Sequence, residues 1–394
     1  MLSNRQLFLK YLGQTSDNPC LLEIEKAEGI YLYGPNGEKY IDLISGVSVS
    51  NLGHGNISVK QAVKEQIDKH AHLMVYGEYI QVPQVELAAY LTSLLPECLN
   101  TVFLVNSGSE SVEGAIKLAK RYTRRSKIIS FNNAYHGSTH GALSVTGNEE
   151  LKRSFRPLLP EVYHINLNSI NELDLIDKNT ACVIIEPIQA EAGVRIPDNN
   201  FMQELYKKCK ELDVLLIFDE IQTGFGRTGK MFGFEHYNIT PDIICFAKAF
   251  GGGMPIGAFV SDKKIMNSFT YDPVLGHITT FGGHPVCAAA ALANLKEITK
   301  NNIIEEAKEK GELLKNNING KKIKEIRGKG LLLAVEIDSF DNILKFIKQG
   351  IKNGIVTDWF LFDNKSFRIT PPLTITKEQI LETCKIINKT LEEL

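Results

Sequence analysis

VLLIFDEIQTGFGRTGK (residues 214–230) and, after a short break, DIICFAKAFGGG (242–253) decide how this chain is read. Each holds an apolar run of strand length with one ionisable residue toward its C-terminal end: Asp219 after Val214–Phe218, and Lys248 after Ile243–Ala247. Neither run alternates with polar residues, which is the pattern of strands covered on both faces in a parallel sheet flanked by helices. In such sheets ligands sit in the crevice beyond the carboxyl ends of the strands, and both residues would project there. A carboxylate or ammonium taken out of water costs several kcal/mol unless it is paired, neutralised or put to use. The plainer reading of Lys248 is a strand-end lysine reaching solvent. A desolvated lysine has a depressed pKa, however, and is a good amine for Schiff-base chemistry with a carbonyl.

The chain has 394 residues, 43% of them hydrophobic, enough for two domains with a sizeable core. A net charge of −2 and no long basic run give no electrostatic footprint for nucleic acid or a membrane surface, so small-molecule chemistry is expected. The start lacks a sustained apolar run and no window reaches transmembrane length, which predicts a cytoplasmic protein. The seven cysteines are scattered and form no C-x-x-C pair, so reduced thiols, no disulfide framework and no metal are expected.

Outward from the central stretch, ACVIIEPIQAEAGVRIP (181–197) is another buried strand, ending at Glu186, with Glu191 in the loop beyond. Two carboxylates near one sheet edge could act as acid–base partners, although loop glutamates are usually solvated. TVFLV (101–105) reads as a strand, NSGSE (106–110) as a tight turn and SVEGAIKLAKRYTRR (111–125) as a helix. A strand entering a helix through such a turn presents free backbone N–H groups, an anion site. Alternatively Ser107 and Glu110 form a capping box that consumes those donors. KIISF (127–131) leads into a loop with Tyr135, His136 and His140. The two histidines have zinc-like spacing but lack a third ligand, and an aromatic residue covering a flat ring is the livelier reading.

Strand and helix thus alternate from 101 to 260, which predicts an α/β fold with a mainly parallel sheet. Residues 21–43 form an antiparallel hairpin turning at Asn36-Gly37, and 44–56 an irregular, glycine-rich connection. After about residue 300, helices near 302–316, 341–353 and 377–392 with intervening strands predict a second, α+β domain. Arg368, on an apolar strand end there, is suited to bidentate carboxylate binding, structural or substrate-borne.

An anion site at a helix N-terminus, a ring-covering aromatic, a strand-end carboxylate and a strand-end lysine are together what pyridoxal phosphate requires. At these residues the chain resembles the class III, or ornithine/acetylornithine-type, pyridoxal-phosphate aminotransferases. The resemblance rests on GIYLYGPNGEKYIDLISG (29–46), FLVNSGSESVEGAIKLAK (103–120), AYHGST (134–139), IIEPIQAEAGV (184–194), LIFDEIQTGFGRTG (216–229), AKAFGGGMPIGA (247–258), TTFGGHP (279–285) and FRITPPL (367–373). It implies the type I fold of pyridoxal-phosphate transferases: a large domain (46–290) around a mostly parallel, seven-stranded-type sheet. A smaller α+β domain would be made from both chain ends (1–45 and 291–394), and two chains would pair as a homodimer with active sites at the interface.

By the same resemblance, Lys248 carries the cofactor as a Schiff base and moves the proton, and Asp219 pairs with the pyridine nitrogen. Ser107, Gly108 and Ser109 would hold the phosphate, helped by Thr280 of the partner subunit. Tyr135 would stack on the ring with His136 beside it, Gln222 would bond the phenolic oxygen side, and Glu186 would be a structural carboxylate next to the cofactor. Glu191 and Arg368 match a gate used by members that take glutamate as co-substrate: the arginine binds the α-carboxylate, and the glutamate covers it while an ω-amine reacts. The implied reaction is ping-pong transfer of an amino group from acetylornithine, ornithine or a related amine to 2-oxoglutarate.

Two departures bear on the donor. Ser138 stands where many members carry an arginine for the donor's distal carboxylate. Val47 stands where ornithine enzymes of the animal type carry a tyrosine, which is closer to the acetylornithine pattern. An aminomutase or decarboxylase of the same fold is the alternative reaction. A nucleotide-binding α/β protein is the alternative class, opposed by the lack of G-x-G-x-x-G at the first strand–helix turn.

Overall fold

The computed structural model describes residues 2–300 and 302–394. Its centre is a seven-stranded sheet in the order Thr101–Val105, Gly257–Ser261, Ile243–Phe246, Leu215–Asp219, Thr180–Ile185, Lys127–Phe131, Val162–Ile165. All neighbours pair in parallel except Gly257–Ser261, which runs antiparallel to both of its partners. The strands read as uninterrupted apolar runs because both faces are covered. Ile185, Leu216, Phe218 and Phe246 enter one core, and Cys182, Ile184, Ile217 and Cys245 the other. The α/β expectation with a mainly parallel sheet is met.

A separate core joins the two chain ends. Ile30, Ile41 and Leu43 pack with Leu333, Val335, Phe346, Phe367 and Ile387. Short strand Ile355–Val356 pairs in parallel with Lys39–Asp42, and hairpin Glu325–Lys329/Leu332–Glu336 pairs with Asp363–Ile369. The expected boundary at residue 290 falls inside one continuous helix, Pro285–Lys300, whose Leu292, Leu295 and Ile298 still belong to the first core.

All seven cysteines are free, and five of them are buried. No helix among the described residues is long and apolar enough to cross a membrane. Also among the described residues, no group of three or more His, Cys, Asp or Glu could hold a metal ion.

The connection 44–56 is more ordered than its composition suggests. Ser45, Gly46, Val47 and Ser48 all have φ between 52° and 62°, making one left-handed turn. Its bonds are right for a helix of the opposite hand: Ser48 N–H donates to the Ile44 carbonyl at 2.9 Å and Val49 N–H to that of Ser45 at 2.8 Å. Left-handed backbone costs about 1–2 kcal/mol per non-glycine residue. The turn is held by Asp42 Oδ1, which accepts from the Ile44 and Ser45 N–H groups at 2.8 Å, and by Ser45 Oγ donating to the Thr370 carbonyl at 2.7 Å. Glycine and serine richness signals only a loop; the turn is held by the neighbouring Asp42 carboxylate and by one long-range bond, to Thr370.

Arg227 ties the two cores together. It is fully buried and donates to the Leu331 and Pro371 carbonyls (3.0 and 2.6 Å) and to Asn51 Oδ1. Burial presses its pKa down to about 9, which still leaves it cationic at neutral pH. Arg227→Ala strands these buried acceptors and is expected to lower the unfolding free energy by about 2–4 kcal/mol. A urea midpoint equal to that of the wild type would contradict this.

Candidate active site

Strands Thr180–Ile185, Leu215–Asp219 and Ile243–Phe246 run the same way, so Glu186, Asp219 and Lys248 arrive at one edge of the sheet. They line a cavity of about 410 Å³ together with Val49, Ser107, Gly108, Ser109, Tyr135, His136 and Gln222. This is the crevice in which a parallel sheet presents its ligands.

The helix Gly108–Thr123 points its N-terminus at this cavity. Ser107 Oγ caps it by accepting from Glu110 N–H at 3.2 Å. The glutamate does not complete the capping box: Glu110 Oε2 accepts from Asn106 N–H and Nδ2 instead, both at 2.8 Å. The N–H groups of Gly108 and Ser109 precede the first intrahelical donor, Ser111 N–H, and stay available on the cavity wall. A Cβ on Gly108 would press against the Ile221 side chain, so the close helix approach needs glycine.

On the same cavity, Asp219 is fixed from two sides. Oδ1 accepts from Ile221 N–H at 3.0 Å, and Oδ2 lies 2.7 Å from His136 Nδ1. With the carboxylate ionised, the shared proton sits on Nδ1, and His136 Nε2 is left buried without a protein partner among the described residues. Glu186 accepts from the N–H groups of Tyr135 (3.0 Å) and Ala190 (3.1 Å). Burial, reinforced by Asp219, pushes its pKa well above the usual carboxylate value. Tyr135 is half-buried, with its hydroxyl 3.3 Å from Ser138 Oγ and its ring 6.4 Å from that of Phe362.

Lys248 begins a short 3₁₀ turn with φ +48, an uncommon conformation for a side chain other than glycine. Its remaining accessible surface faces the cavity, and no hydrogen-bond partner for its amine is found among the described residues. Burial lowers its pKa, against the pull of Glu191. A neutral, unpartnered amine is the nucleophilic form.

Behind Gln222 lies the ion pair. Arg368 Nη2 is 3.0 Å from both Glu191 oxygens, and Gln222 bridges the two, accepting from Arg368 Nη1 (3.0 Å) and donating to Glu191 Oε1 (3.2 Å). Arg368 also donates Nε to Asp358 Oδ1 at 2.8 Å, and its guanidinium lies 4.5 Å above the Phe360 ring. Burial opposes ionisation of Glu191, but Arg368 outweighs it and holds the pKa at about 2. Burial raises the Asp358 pKa despite the same arginine.

The structure therefore gathers Ser107, Gly108, Ser109, Tyr135, His136, Glu186, Asp219, Gln222 and Lys248 on one cavity, with Glu191 and Arg368 directly behind. Val47 is not on the wall; Val49 is, because the left-handed turn redirects the chain between them. Ser138 is exposed at the mouth and Thr280 is exposed outside the cavity. His140 stands at the exposed start of a helix while His136 is bound to Asp219. Asn106, Asp358 and the His136–Asp219 contact escaped the sequence reading. Only the Glu110–Asn106 spacing could have signalled one of them.

A cavity that brings together free N–H groups, a fixed carboxylate, an aromatic side chain and an unpartnered lysine suits a flat anionic ring that bears a carbonyl. Comparison with known proteins agrees. The family model "Aminotransferase class-III" matches residues 12–391. The acetylornithine aminotransferase of Methanopyrus kandleri is 42% identical over 79% of this chain and 79% of its own length. The putrescine aminotransferase of Pectobacterium atrosepticum is 39% identical over 92% of this chain and 81% of its own. Among solved structures, the omega transaminase of Pseudomonas jessenii in complex with PMP superposes with a TM-score of 0.93 at 26% identity, covering 100% of this chain and 98% of that one. The fold is accordingly that of the pyridoxal-phosphate-dependent transaminases, and the chain belongs to the class III aminotransferase family.

Proposed function

We propose that this transaminase moves the amino group of a primary ω-amine to 2-oxoglutarate in a ping-pong cycle, with pyridoxal phosphate bound through Lys248. The observation that carries this reading is the buried Glu191–Arg368 pair bridged by Gln222 on the cavity wall. A buried guanidinium with a removable carboxylate partner serves two substrates in turn. Paired, it presents no net charge to an amine lacking an α-carboxylate; released, it offers a bidentate fork to the α-carboxylate of 2-oxoglutarate.

The cofactor, when bound, supplies the electron sink that makes the proton on the amine-bearing carbon removable. Ser107, Gly108 and Ser109 would hold its phosphate through the helix N-terminus, and Thr280 of the partner subunit would complete the site. Asp219, oriented by His136, would face the pyridine nitrogen and favour its protonated form, and Tyr135 would cover the ring. Lys248, as the free amine, would accept and hold the proton released from the amine-bearing carbon. A homodimer is supported by an exposed apolar face. Tyr79, Ile80 and Val85 share one cavity with Thr279 and Gly282, and exposed Ile278 and Phe281 flank Thr280.

Basic groups on the cavity wall are limited, among the described residues, to Lys248 and His136, and Ser138 at the mouth is uncharged. This favours donors without a carboxylate at the distal end, such as diamines, and the putrescine aminotransferase relative supports the same class. Acetylornithine or ornithine is the second reading. It is supported by the Methanopyrus relative and needs a cation from elsewhere for the distal carboxylate.

Purified protein is expected to show visible cofactor absorbance that an amino donor bleaches and 2-oxoglutarate restores; Lys248→Ala should abolish this cycle. In a donor panel with 2-oxoglutarate, putrescine should exceed N-acetylornithine and ornithine in kcat/KM, and the reverse order would select the second reading. Arg368→Ala should raise the KM for 2-oxoglutarate by about 10-fold or more, well beyond its effect on a diamine; equal effects would refute its role. Because the folded-state pKa of Glu191 is depressed, its pairing contributes stability above a pH of about 4.5 that is lost as the pH falls toward about 2. The difference in unfolding free energy between wild type and Glu191→Gln should therefore shrink from about pH 5 to pH 3. A pH-independent difference would argue against the pairing.

A further inference from the structure

The gate pair is mounted on two separate pieces of chain, and one arginine outside the cavity grips both. Glu191 sits in a tight loop closed by the Gln189–Arg195 bridge, whose reciprocal N–H···O bonds are both 2.9 Å. Arg368 lies on the strand Asp363–Ile369, and the residues just before that strand hold Glu191 in turn. Leu361 N–H donates to Glu191 Oε2 at 3.2 Å, and Phe362 N–H to the Glu191 carbonyl at 2.9 Å. The angle at which Glu191 meets Arg368 therefore depends on how the loop is seated against residues 361–363.

Arg327, from the neighbouring hairpin strand Glu325–Lys329, sets that seating. Its Nε donates to the Gly193 carbonyl of the Glu191 loop at 2.5 Å. Nη2 donates to Asp363 Oδ2 and, at 2.9 Å, to Ser366 Oγ, both on the strand that carries Arg368. Nη1 donates to Glu325 (2.9 Å) and Glu336 (2.5 Å), which fix the guanidinium from behind. All five N–H donors of the fork have an acceptor, a geometry that a lysine ammonium cannot reproduce. Gly193 has φ +79, and a Cβ there would overlap Asp363 Oδ2 and Arg327 Nη2, so loop and clamp are in direct contact. Arg195, half-exposed, adds a second cation 3.8–4.0 Å from Glu325, Glu336 and Asp363.

We propose that Arg327, acting through Asp363 and the Gly193 carbonyl, is a positioning residue that holds Glu191 against Arg368 and so sets the balance between the covered and the uncovered arginine. It touches neither substrate nor cofactor. The inference rests on the gate role of Glu191 and Arg368 proposed above and adds the element that biases the gate. Weakening the clamp loosens the 361–362 donors on Glu191, favours the uncovered arginine and moves two affinities in opposite directions. Dicarboxylates bind more tightly, and an amine that needs the arginine neutralised binds less tightly.

The test uses the cofactor-loaded enzyme as wild type, Arg327→Lys and the milder Asp363→Asn. Calorimetric titration with glutarate, an unreactive dicarboxylate, reports on the exposed guanidinium without turnover. The KM for putrescine, or for the best donor of the panel, reports on the covered state. Arg327→Lys is expected to tighten glutarate and raise the amine KM, each by about fivefold, and Asp363→Asn should shift both in the same senses but less. A general structural defect would weaken both. Both constants moving together, or neither moving in Asp363→Asn that melts like wild type, would overturn the role of Arg327. Wild-type enzyme that fails to bind glutarate would overturn the gate reading itself, and this inference with it.

Discussion

A carboxylate buried without partners does not stay a carboxylate, and this protein buries Glu186, Glu191, Asp219 and Glu220 around one end of a single sheet. Each is settled differently. Glu186 accepts two backbone N–H groups yet has its pKa driven up by burial and by Asp219. Glu220 takes the Gly233 and Phe234 N–H groups and the Thr223 hydroxyl, with burial lifting its pKa to about 7. Glu191 has a guanidinium, and Asp219 a histidine and one N–H. The fold can be read as the scaffold that brings these partners to the sheet edge.

That view separates structural from chemical groups. The oxygens of Glu220 are used up by its own loop, so it stabilises the connection after the central strand. Asp219 faces the cavity with its geometry fixed by groups that do not react. Lys248, half-buried beside these carboxylates, has no hydrogen bond among the described residues, and desolvation pushes it toward the neutral amine. Reactivity sits where satisfaction is incomplete.

Much of this was legible in the sequence. Apolar runs without alternation located the strands at 127–131, 180–185, 215–219 and 243–246, and an ionisable residue at the end of the last three marked the cavity edge, since both signals are local; Val162–Ile165 was not legible in this way. Glu191 and Arg368 were legible through resemblance, but Asp358, which holds the other side of the guanidinium, was not. Nothing in the order of residues says that position 358 will face position 368 across a bulged strand pair. The His136–Asp219 bond spans 83 positions and depends on the packing of two loops. The Glu110 side chain was legible as a cap, but its choice of Asn106 over Ser107 was not, and that choice keeps the anion site open.

The left-handed turn at Ser45–Ser48 restricts how the cavity can diversify. Position 47 already places a β-branched valine in left-handed backbone (φ 61°) and lies off the cavity wall, so a replacement there answers to the turn before it can answer to a substrate. Position 49, just past the turn, has ordinary right-handed dihedrals and its side chain on the wall. Changes of donor preference at this edge are therefore more accessible, by selection or by engineering, through Val49 than through the residue two places before it.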